Sequence, residues 1–326
     1  MPGQPGFKVM EQAAEWYAEL RCGEAGPAQR AAWHQWVEAD PAHRVAWEAV
    51  QSISLRFDPL HKLPDRRRAA DDLLLAHQRV RRRAVLRSLG LLAGIGAFWS
   101  SWRLTPLPTW GASLVADYRS GIGELRHVQL PDGSRVWLNT TTAFDIDFSG
   151  SHRLVHLLMG EVLIDTAHDA ERPFIVRTAQ GRFRALGTEF SVRLHDQATE
   201  LTVFAGAVEV SRADSSENRV VQAGRRQSVA VGPLPPTAPA DLARRAWSGG
   251  MLLAQDIPLG QVLDELSSYW FGHIAIDPAV AQLNVFGTLP VRDVDAALSI
   301  LASSLPINVD RRMPWWITIS ASNSKP

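Results

Sequence analysis

A mostly apolar run extends from Ala84 to Trp102 in this chain of 326 residues, and a single arginine, Arg87, interrupts it. As a helix with a rise of about 1.5 Å per residue, the run would be roughly 28 Å long, enough to cross the hydrocarbon core of a bilayer. Arginines crowd its N-terminal side, and the chain has no Asp or Glu between Leu73 and Leu114. Because the basic flank of a membrane helix faces the cytoplasm, we predict one transmembrane helix over residues 84–104, with the N-terminus cytoplasmic.

The same run can also be a buried helix of a soluble domain. Arg87 leaves only Ser88 to Trp102 free of charge, and apolar runs shorter than about 18 residues are typical of core helices. Two features favour the membrane. Arg87 lies near the end of the run, where its long stem reaches the interface, and Trp99 and Trp102 lie where an aromatic belt forms.

The composition argues against several classes of protein. Lys and Arg together number 34, as do Asp and Glu, so no net basic field indicates a nucleic-acid partner. Cys22 is the only cysteine, which excludes an intramolecular disulfide and a cysteine-based metal site. The sequence contains no glycine-rich phosphate loop, zinc-binding histidine pair or Gly-x-Ser-x-Gly turn. We therefore predict no cofactor, no metal and no enzyme activity on a separate substrate.

Residues 1–58 have the apolar spacing of a small all-α domain with three short helices. Asp40-Pro41 indicates a cap followed by a first-turn proline, which begins the third helix. Four tryptophans lie in this domain: Trp16, Trp33, Trp36 and Trp47. Their rings either form the core of the domain or serve in part as anchors on a partner protein. The acidic excess of these helices disfavours DNA as that partner.

Two stretches of this domain resemble the N-terminal domain of the FecR-type sigma regulators, single-pass inner-membrane proteins of Gram-negative bacteria. They are the Glu-x-Ala-Ala-x-Trp motif, Glu11 to Trp16, and the run from Trp33 to Trp47, which contains Asp-Pro-x-His-Arg. The resemblance implies that residues 1–58 bind an extracytoplasmic-function sigma factor. It makes the four tryptophans the candidate sigma-binding residues. Residues 59–83 would then be a basic linker.

Arg82 and Arg83 have two interpretations. The stretch Arg82-Arg83-Ala84-Val85-Leu86-Arg87 looks like a twin-arginine export signal, in which paired arginines precede an apolar and then a basic position. A membrane anchor that needs only basic residues on its cytoplasmic side explains the same stretch. The sequence leaves both export routes open.

Beyond a proline-rich spacer, residues 113–232 have the short alternating pattern of an all-β domain. Pro131-Asp132-Gly133-Ser134 separates two of its strands and indicates a hairpin. The regular spacing of further short strands predicts an antiparallel sheet, a sandwich or a solenoid without helical crossovers. Five ordered stretches resemble the periplasmic FecR domain: Leu130–Asn139, Gly160–Val162, Pro173–Val176, Leu186–Val192 and Ala205–Val210.

Gly187 and Thr188 form the candidate catalytic pair of this domain. A threonine hydroxyl can attack the carbonyl that precedes it and convert the amide into an ester, which water then breaks. Glycine on the acyl side leaves the carbonyl open and tolerates a strained backbone. The resemblance implies self-cleavage here, since some FecR-type proteins are cleaved at this Gly-Thr bond. A glycine bulge followed by a strand threonine is the alternative interpretation.

Residues 246–322 change to a mixed pattern. Short strands and two amphipathic helices follow one another in the order β-α-β-β-α-β, which predicts a small α+β module. This order is similar to the short N-terminal domain of secretins and TonB-dependent transducers. In FecR-type proteins the corresponding region receives the signalling domain of an outer-membrane receptor. Trp315 and Trp316 are candidate receptor-binding residues, and an ordinary core role is the alternative.

The resemblance implies an inner-membrane regulator of an extracytoplasmic-function sigma factor, with its C-terminus in the periplasm. The signalling domain of a TonB-dependent receptor of the iron-siderophore type would contact the C-terminal module. An intramembrane protease would then release the cytoplasmic domain, without a cofactor and without direct contact with nucleic acid. Two other classes stay open from the residues alone: a membrane-anchored envelope-binding protein or enzyme that uses the β domain, and a one-component DNA-binding sensor.

Overall fold

The chain forms two compact units, Met1–Pro108 and Thr109–Pro326. Its computed structural model describes residues 6–21, 26–61, 116–213 and 217–322. Where they are described, the first unit is helical and the second combines β-sheets with a few short helices.

The helical unit contains α1 (Phe7–Arg21), α2 (Pro27–Ala39) and α3 (Pro41–His61), where the apolar spacing predicts three helices. The Asp40 side chain caps α3 by accepting a hydrogen bond from the Ala42 N–H at 2.7 Å, and Pro41 occupies the first turn. The core of the unit lies between α1 and α3, where five residues are buried: Ala13, Ala14, Ala46, Trp47 and Val50. By contrast, α2 has no fully buried residue.

The second unit begins with a β domain of fourteen short strands. They are β1 (Tyr118–Arg119), β2 (Arg126–Gln129), β3 (Arg135–Leu138), β4 (Ala143–Asp147), β5 (Arg153–Met159), β6 (Glu161–Asp165), β7 (Phe174–Arg177), β8 (Gly181–Ala185), β9 (Glu189–Leu194), β10 (Ala198–Ala205), β11 (Ala207–Arg212), β12 (Asn218–Gln222), β13 (Arg225–Ala230) and β14 (Ala238–Pro239). One sheet has the order β1-β4-β5-β7-β8-β11-β12, and the other has the order β14-β13-β10-β9-β6-β3-β2. Their inner faces share one core, with Phe144, Phe174 and Phe183 from the first sheet and Ile164 and Phe190 from the second. The domain is therefore a β-sandwich.

Two features of the sandwich differ from the sequence prediction. β5 and β7 pair in parallel, because the strand between them in the chain, β6, crosses to the other sheet. The sequence pattern also assigns no strand to β12 and β13. These two strands have few apolar residues to alternate, and their pairing with β11 and β10 makes them strands.

A small α+β module follows the sandwich within the same unit. It begins with a 3-10 helix (Leu242–Gly249) and continues through β15 (Met251–Pro258), α4 (Leu259–Ser267), β16 (His273–Ile276), β17 (Asn284–Pro290), α5 (Val294–Ser304), β18 (Ile307–Met313) and β19 (Trp316–Ala321). β15 pairs with β17, while β16, β19 and β18 form a second sheet in that order. The sequence pattern does not predict β18, because Asp310-Arg311-Arg312 interrupts its apolar alternation. Both helices face a common core that includes Leu263, Leu266, Leu298 and Leu301.

The predicted fold class is wrong in one respect, its single transmembrane helix. Among the residues that the structure describes, no helix is long and apolar enough to cross a membrane. The longest of these helices, α3, has 21 residues, but charged side chains recur along it. The predicted segment, 84–104, lies outside the described residues, as do Arg82 and Arg83.

Candidate functional site

The Gly187–Thr188 peptide bond lies in the short connection between β8 and β9. Gly187 is exposed and has φ of +79°, in the left-handed region that favours glycine. Thr188 is only 4% exposed. The chain therefore passes from the surface into the sandwich across this one bond.

Thr188 places an unengaged hydroxyl beside this bond. Its Oγ1 is buried and has no hydrogen-bond partner among the described residues. An unsatisfied buried polar group costs about 1–3 kcal/mol, so each case calls for an explanation. A hydroxyl without a competing partner is available to attack the carbonyl carbon of Gly187.

Thr166 directly follows β6, and it hydrogen-bonds both the N–H and the carbonyl oxygen of Thr188. Its Oγ1 accepts a hydrogen bond from the Thr188 N–H at 3.0 Å and donates one to the Thr188 carbonyl oxygen at 3.2 Å. The Thr166 N–H donates to the same carbonyl oxygen at 3.1 Å. These bonds fix the nitrogen of the Gly187–Thr188 bond in place.

Gly206 makes room for the carbonyl group of this bond. It has φ of +76°, and a Cβ at this position would overlap the Gly187 carbonyl oxygen and lie 2.8 Å from Thr188 Cγ2. Any other L residue would therefore displace the peptide. On another side, a cavity of about 220 Å³ has Thr166, His168, Leu186 and Gly187 in its wall. The cavity has room for water beside Gly187.

The four tryptophans of the helical unit divide between core and surface. Trp47 is 9% exposed and contacts Trp33 with ring centroids 5.0 Å apart. Trp36 stacks on the His43 ring at 4.4 Å. Like Trp16, both Trp33 and Trp36 are half-buried. Trp47 therefore belongs to the core, while the other three leave part of each side chain accessible.

The structure buries both candidate receptor-binding tryptophans. Trp316 is fully buried, Trp315 is 5% exposed, and their rings meet edge-on at 5.9 Å. This burial favours the core alternative for the pair. The most exposed large apolar side chain described in the module is instead Phe286 on β17, at 72%.

An ionic cluster around the buried Glu161 joins the sandwich to the C-terminal module. Oε2 of Glu161 on β6 lies 3.8 Å from Nη1 of Arg193 on β9 and 3.6 Å from Nη2 of Arg244 in the 3-10 helix. Both arginines also contact the carboxylate of Glu265 on α4, at 2.9 and 3.4 Å. Asn139 donates a hydrogen bond to Glu161 Oε2 at 3.0 Å. Burial raises the pKa of Glu161 to about 7, against the attraction of Arg193.

The strands that carry this cluster also flank the candidate bond. Glu161 and Arg193 are cross-strand partners at one end of β6 and β9. The other end pairs Asp165 with Glu189, immediately next to Thr188 in the chain. Arg245 of the 3-10 helix contacts Glu189 at 3.1 Å. The 3-10 helix therefore contacts both ends of the strand pair.

The sequence alone does not indicate the roles of Thr166, Gly206 and the ionic cluster. The signal for Gly206 was its place in the stretch Ala205–Val210, which is itself one of the FecR-like motifs. No local signal marks Thr166, because its relation to Thr188 depends on the pairing of β6 with β9. The four charged members of the cluster come from four separate elements of the chain, so local sequence patterns do not indicate it.

Comparison with known proteins supports the resemblance in both units. The FecR protein family matches residues 116–209. DUF4880, a domain of unknown function, matches residues 11–53. No curated protein matches the chain.

Two crystal structures of a candidate anti-sigma factor from Parabacteroides distasonis are similar to this chain. The structure at 1.65 Å resolution is 26% identical in sequence, covers 63% of this chain and 98% of its own, and has a TM-score of 0.52. The structure at 2.50 Å resolution is also 26% identical, covers 63% of this chain and 97% of its own, and has a TM-score of 0.51. Both domain matches, in the expected order, and this structural likeness support the resemblance to the FecR-type anti-sigma regulators.

Proposed function

We propose that this chain regulates an extracytoplasmic-function sigma factor, which its helical unit binds in the cytoplasm. The observation that carries the proposal is the combination of a DUF4880 match with a FecR match in one chain, together with the likeness to a candidate anti-sigma factor. Recovery of a co-expressed sigma factor with residues 1–83 tests it directly.

The exposed side of α2 and the start of α3 offer a surface for that partner. Ala32 on α2 is exposed, and Val45 on α3 is 42% exposed. Trp33 and Trp36 on α2 are half-buried, so part of each ring is accessible. Aromatic and apolar groups of this kind supply most of the binding energy at interfaces, and a helical partner can cover them.

Val45→Asp is expected to weaken capture of the sigma factor by residues 1–83 by roughly tenfold or more, because it would bury a charge in the interface. The exposed position lets α3 form, so the circular dichroism of the unit should not change. Gln51→Asp lies about 120° away around α3 and serves as the control that keeps capture. Unchanged capture by Val45→Asp, or no sigma factor recovered with the wild-type unit, would contradict the proposal.

The signal is proposed to come from a TonB-dependent receptor of the iron-siderophore type, whose signalling domain docks on the C-terminal module. Among the described strands, β17 pairs only with β15, so its other edge is open. Phe286 projects from this strand with 72% of its surface exposed. An open edge with an exposed aromatic ring suits a partner that adds a strand.

Phe286→Asp is expected to abolish recovery of the receptor signalling domain with the full chain, because the aspartate would lie within the new strand pair. Ile300→Asp on α5 is the matched control, since Ile300 is 43% exposed in the same module. Co-purification of the tagged signalling domain measures both variants. Equal effects of the two substitutions would place the partner somewhere other than β17.

The proposed location is the inner membrane, with the N-terminus in the cytoplasm and the C-terminus in the periplasm. An intramembrane protease would release the sigma-bound helical unit into the cytoplasm. Support comes from the order of the DUF4880 and FecR matches, which the family resemblance assigns to opposite compartments. A C-terminal tag that resists protease added to spheroplasts would contradict this location.

The chain is further proposed to cleave itself between Gly187 and Thr188. The Thr188 hydroxyl oxygen bonds to the Gly187 carbonyl carbon, the carbon–nitrogen bond breaks, and the hydroxyl proton ends on the nitrogen, which becomes an amine. Water then hydrolyses the ester, which yields a Gly187 carboxylate and restores the Thr188 hydroxyl. Support comes from the unengaged Thr188 hydroxyl and from the left-handed backbone of Gly187.

A further inference from the structure

Thr166 is the described residue whose side chain hydrogen-bonds the leaving nitrogen of the proposed cleavage, at 3.0 Å. We propose that its hydroxyl assists the shift, first as the acceptor of the Thr188 N–H and then as the proton donor to the same nitrogen. The inference rests on the proposed self-cleavage and assigns the proton route of that reaction to a residue on the neighbouring strand.

The leaving nitrogen needs a neighbour that first accepts a hydrogen bond from it and later gives it a proton. In the amide, the nitrogen carries one proton and its lone pair is delocalised, so it only donates. Once the Thr188 oxygen has added to the Gly187 carbonyl carbon, the nitrogen becomes basic and must gain a second proton before the bond breaks. A hydroxyl both accepts and donates hydrogen bonds, which a carbonyl or an ammonium group cannot do.

The hydrogen bonds around Thr166 leave its hydroxyl free to turn. At present it donates to the Thr188 carbonyl oxygen at 3.2 Å. The main-chain N–H of Thr166 donates to that same oxygen at 3.1 Å. When the hydroxyl turns toward the nitrogen, the Thr188 carbonyl oxygen keeps the Thr166 N–H as its donor. The turn therefore costs less free energy than leaving that buried oxygen without any hydrogen bond.

The proton balance closes without an outside acid or base. The new carbon–oxygen bond places the Thr188 oxygen on the same carbon as the nitrogen that Thr166 contacts. The Thr166 hydroxyl then gives its proton to the nitrogen and takes the proton that the Thr188 oxygen releases. Thr166 ends unchanged, Thr188 carries the ester and a free amine, and no net charge is created. Gly206 keeps the Gly187 carbonyl close to this arrangement, because a side chain there would overlap the carbonyl oxygen.

Thr166→Val in the full chain is the decisive variant, since valine keeps the shape and removes the hydroxyl. We expect cleavage to slow by roughly 100-fold, the usual range for loss of a positioned proton donor. Thr166→Ser keeps the hydroxyl and should cleave near the wild-type rate. Thr178→Val is the matched control, because Thr178 Oγ1 also accepts from main-chain N–H groups in the same sandwich but lies at another turn.

Hydroxylamine at neutral pH shows whether Thr166 assists formation of the ester or its hydrolysis, while Thr166→Ser and Thr178→Val separate this role from a merely structural one. Hydroxylamine attacks esters, so it restores cleavage in a variant that forms the ester but cannot hydrolyse it. It should not restore the wild-type rate in Thr166→Val, where formation of the ester is the slow step. If the wild-type chain cleaves and Thr166→Val cleaves at the same rate, the inference is wrong. The same holds if Thr178→Val is slowed as much as Thr166→Val. Both results leave the self-cleavage proposal standing. A wild-type chain that stays intact would overturn the self-cleavage proposal and the inference with it.

Discussion

Replacing Thr188 by alanine is expected to leave the full chain as one band on a denaturing gel, whereas the wild-type chain gives two fragments. The substitution removes Oγ1, the atom that must form the ester with the Gly187 carbonyl carbon. Loss of a nucleophile lowers the rate of such reactions by several orders of magnitude, so the remaining cleavage should be below detection. Mass spectrometry of the wild-type fragments should find Gly187 at the end of one and Thr188 at the start of the other.

A folding defect would not explain the single band expected for Thr188→Ala. The hydroxyl of Thr188 is buried without a partner among the described residues, so its removal takes away no described hydrogen bond. The main-chain bonds to Thr166 are independent of the side chain at position 188. Thr188→Ser restores an oxygen at the same place and should restore the fragments. Two fragments from the alanine variant would end the self-cleavage proposal.

Local sequence signals predict the parts of this fold that depend on neighbouring residues. Asp40-Pro41 marks the start of α3, and the side chain of Asp40 does cap it. The turn at Pro131–Ser134 joins β2 and β3 as the sequence indicates, with Gly133 at φ +88° and a hydrogen bond from the Leu130 N–H to the Ser134 carbonyl. In each case the residue that gives the signal also makes the stabilising contact.

The sequence does not predict contacts between residues that are distant in the chain. β5 and β7 are parallel because β6 lies in the opposite sheet, and no pattern within these strands encodes that choice. Gly187 and Thr188 are visible as a motif, but the hydroxyl of Thr166 reaches them only through the pairing of β6 with β9. The sequence makes Trp315 and Trp316 candidates for a receptor-binding surface. In the structure both side chains are buried, because of packing between elements that are distant in the chain.

Glu161→Gln is expected to make the second unit more stable at high pH by about 3 kcal/mol relative to the wild type, with little gain at pH 4. Burial raises the pKa of Glu161 from 4.5 to about 7, and one of its oxygens, Oε1, has no partner among the described residues. The folded state therefore keeps a proton on Glu161 between these two values, while the unfolded state has already lost it.

The direction of this effect follows from where the proton is bound. The contribution of Glu161 to stability is fully present below pH 4.5 and is lost as the pH rises to about 7. Glutamine cannot ionise, so the variant keeps the contribution. Burial lowers the pKa of His156 and His273, which gives the wild-type curve a component of opposite slope. The informative quantity is therefore the difference between the two proteins, in which the histidine contributions cancel.

Urea unfolding of residues 109–326 from pH 4 to pH 8 measures this difference, in a Thr188→Ala background that keeps the chain whole. Glu200→Gln is the control, because Glu200 pairs with Arg226 near the surface, at 3.2 Å. A difference that stays flat or falls with pH would show that Glu161 is ionised in the folded state, held by Arg193 and Arg244. A rise centred between pH 4.5 and 7 would show that the second unit loses stability as Glu161 loses its proton. Glu161 lies at one end of the β6–β9 pair, and Glu189, next to Thr188 in the chain, lies at the other end.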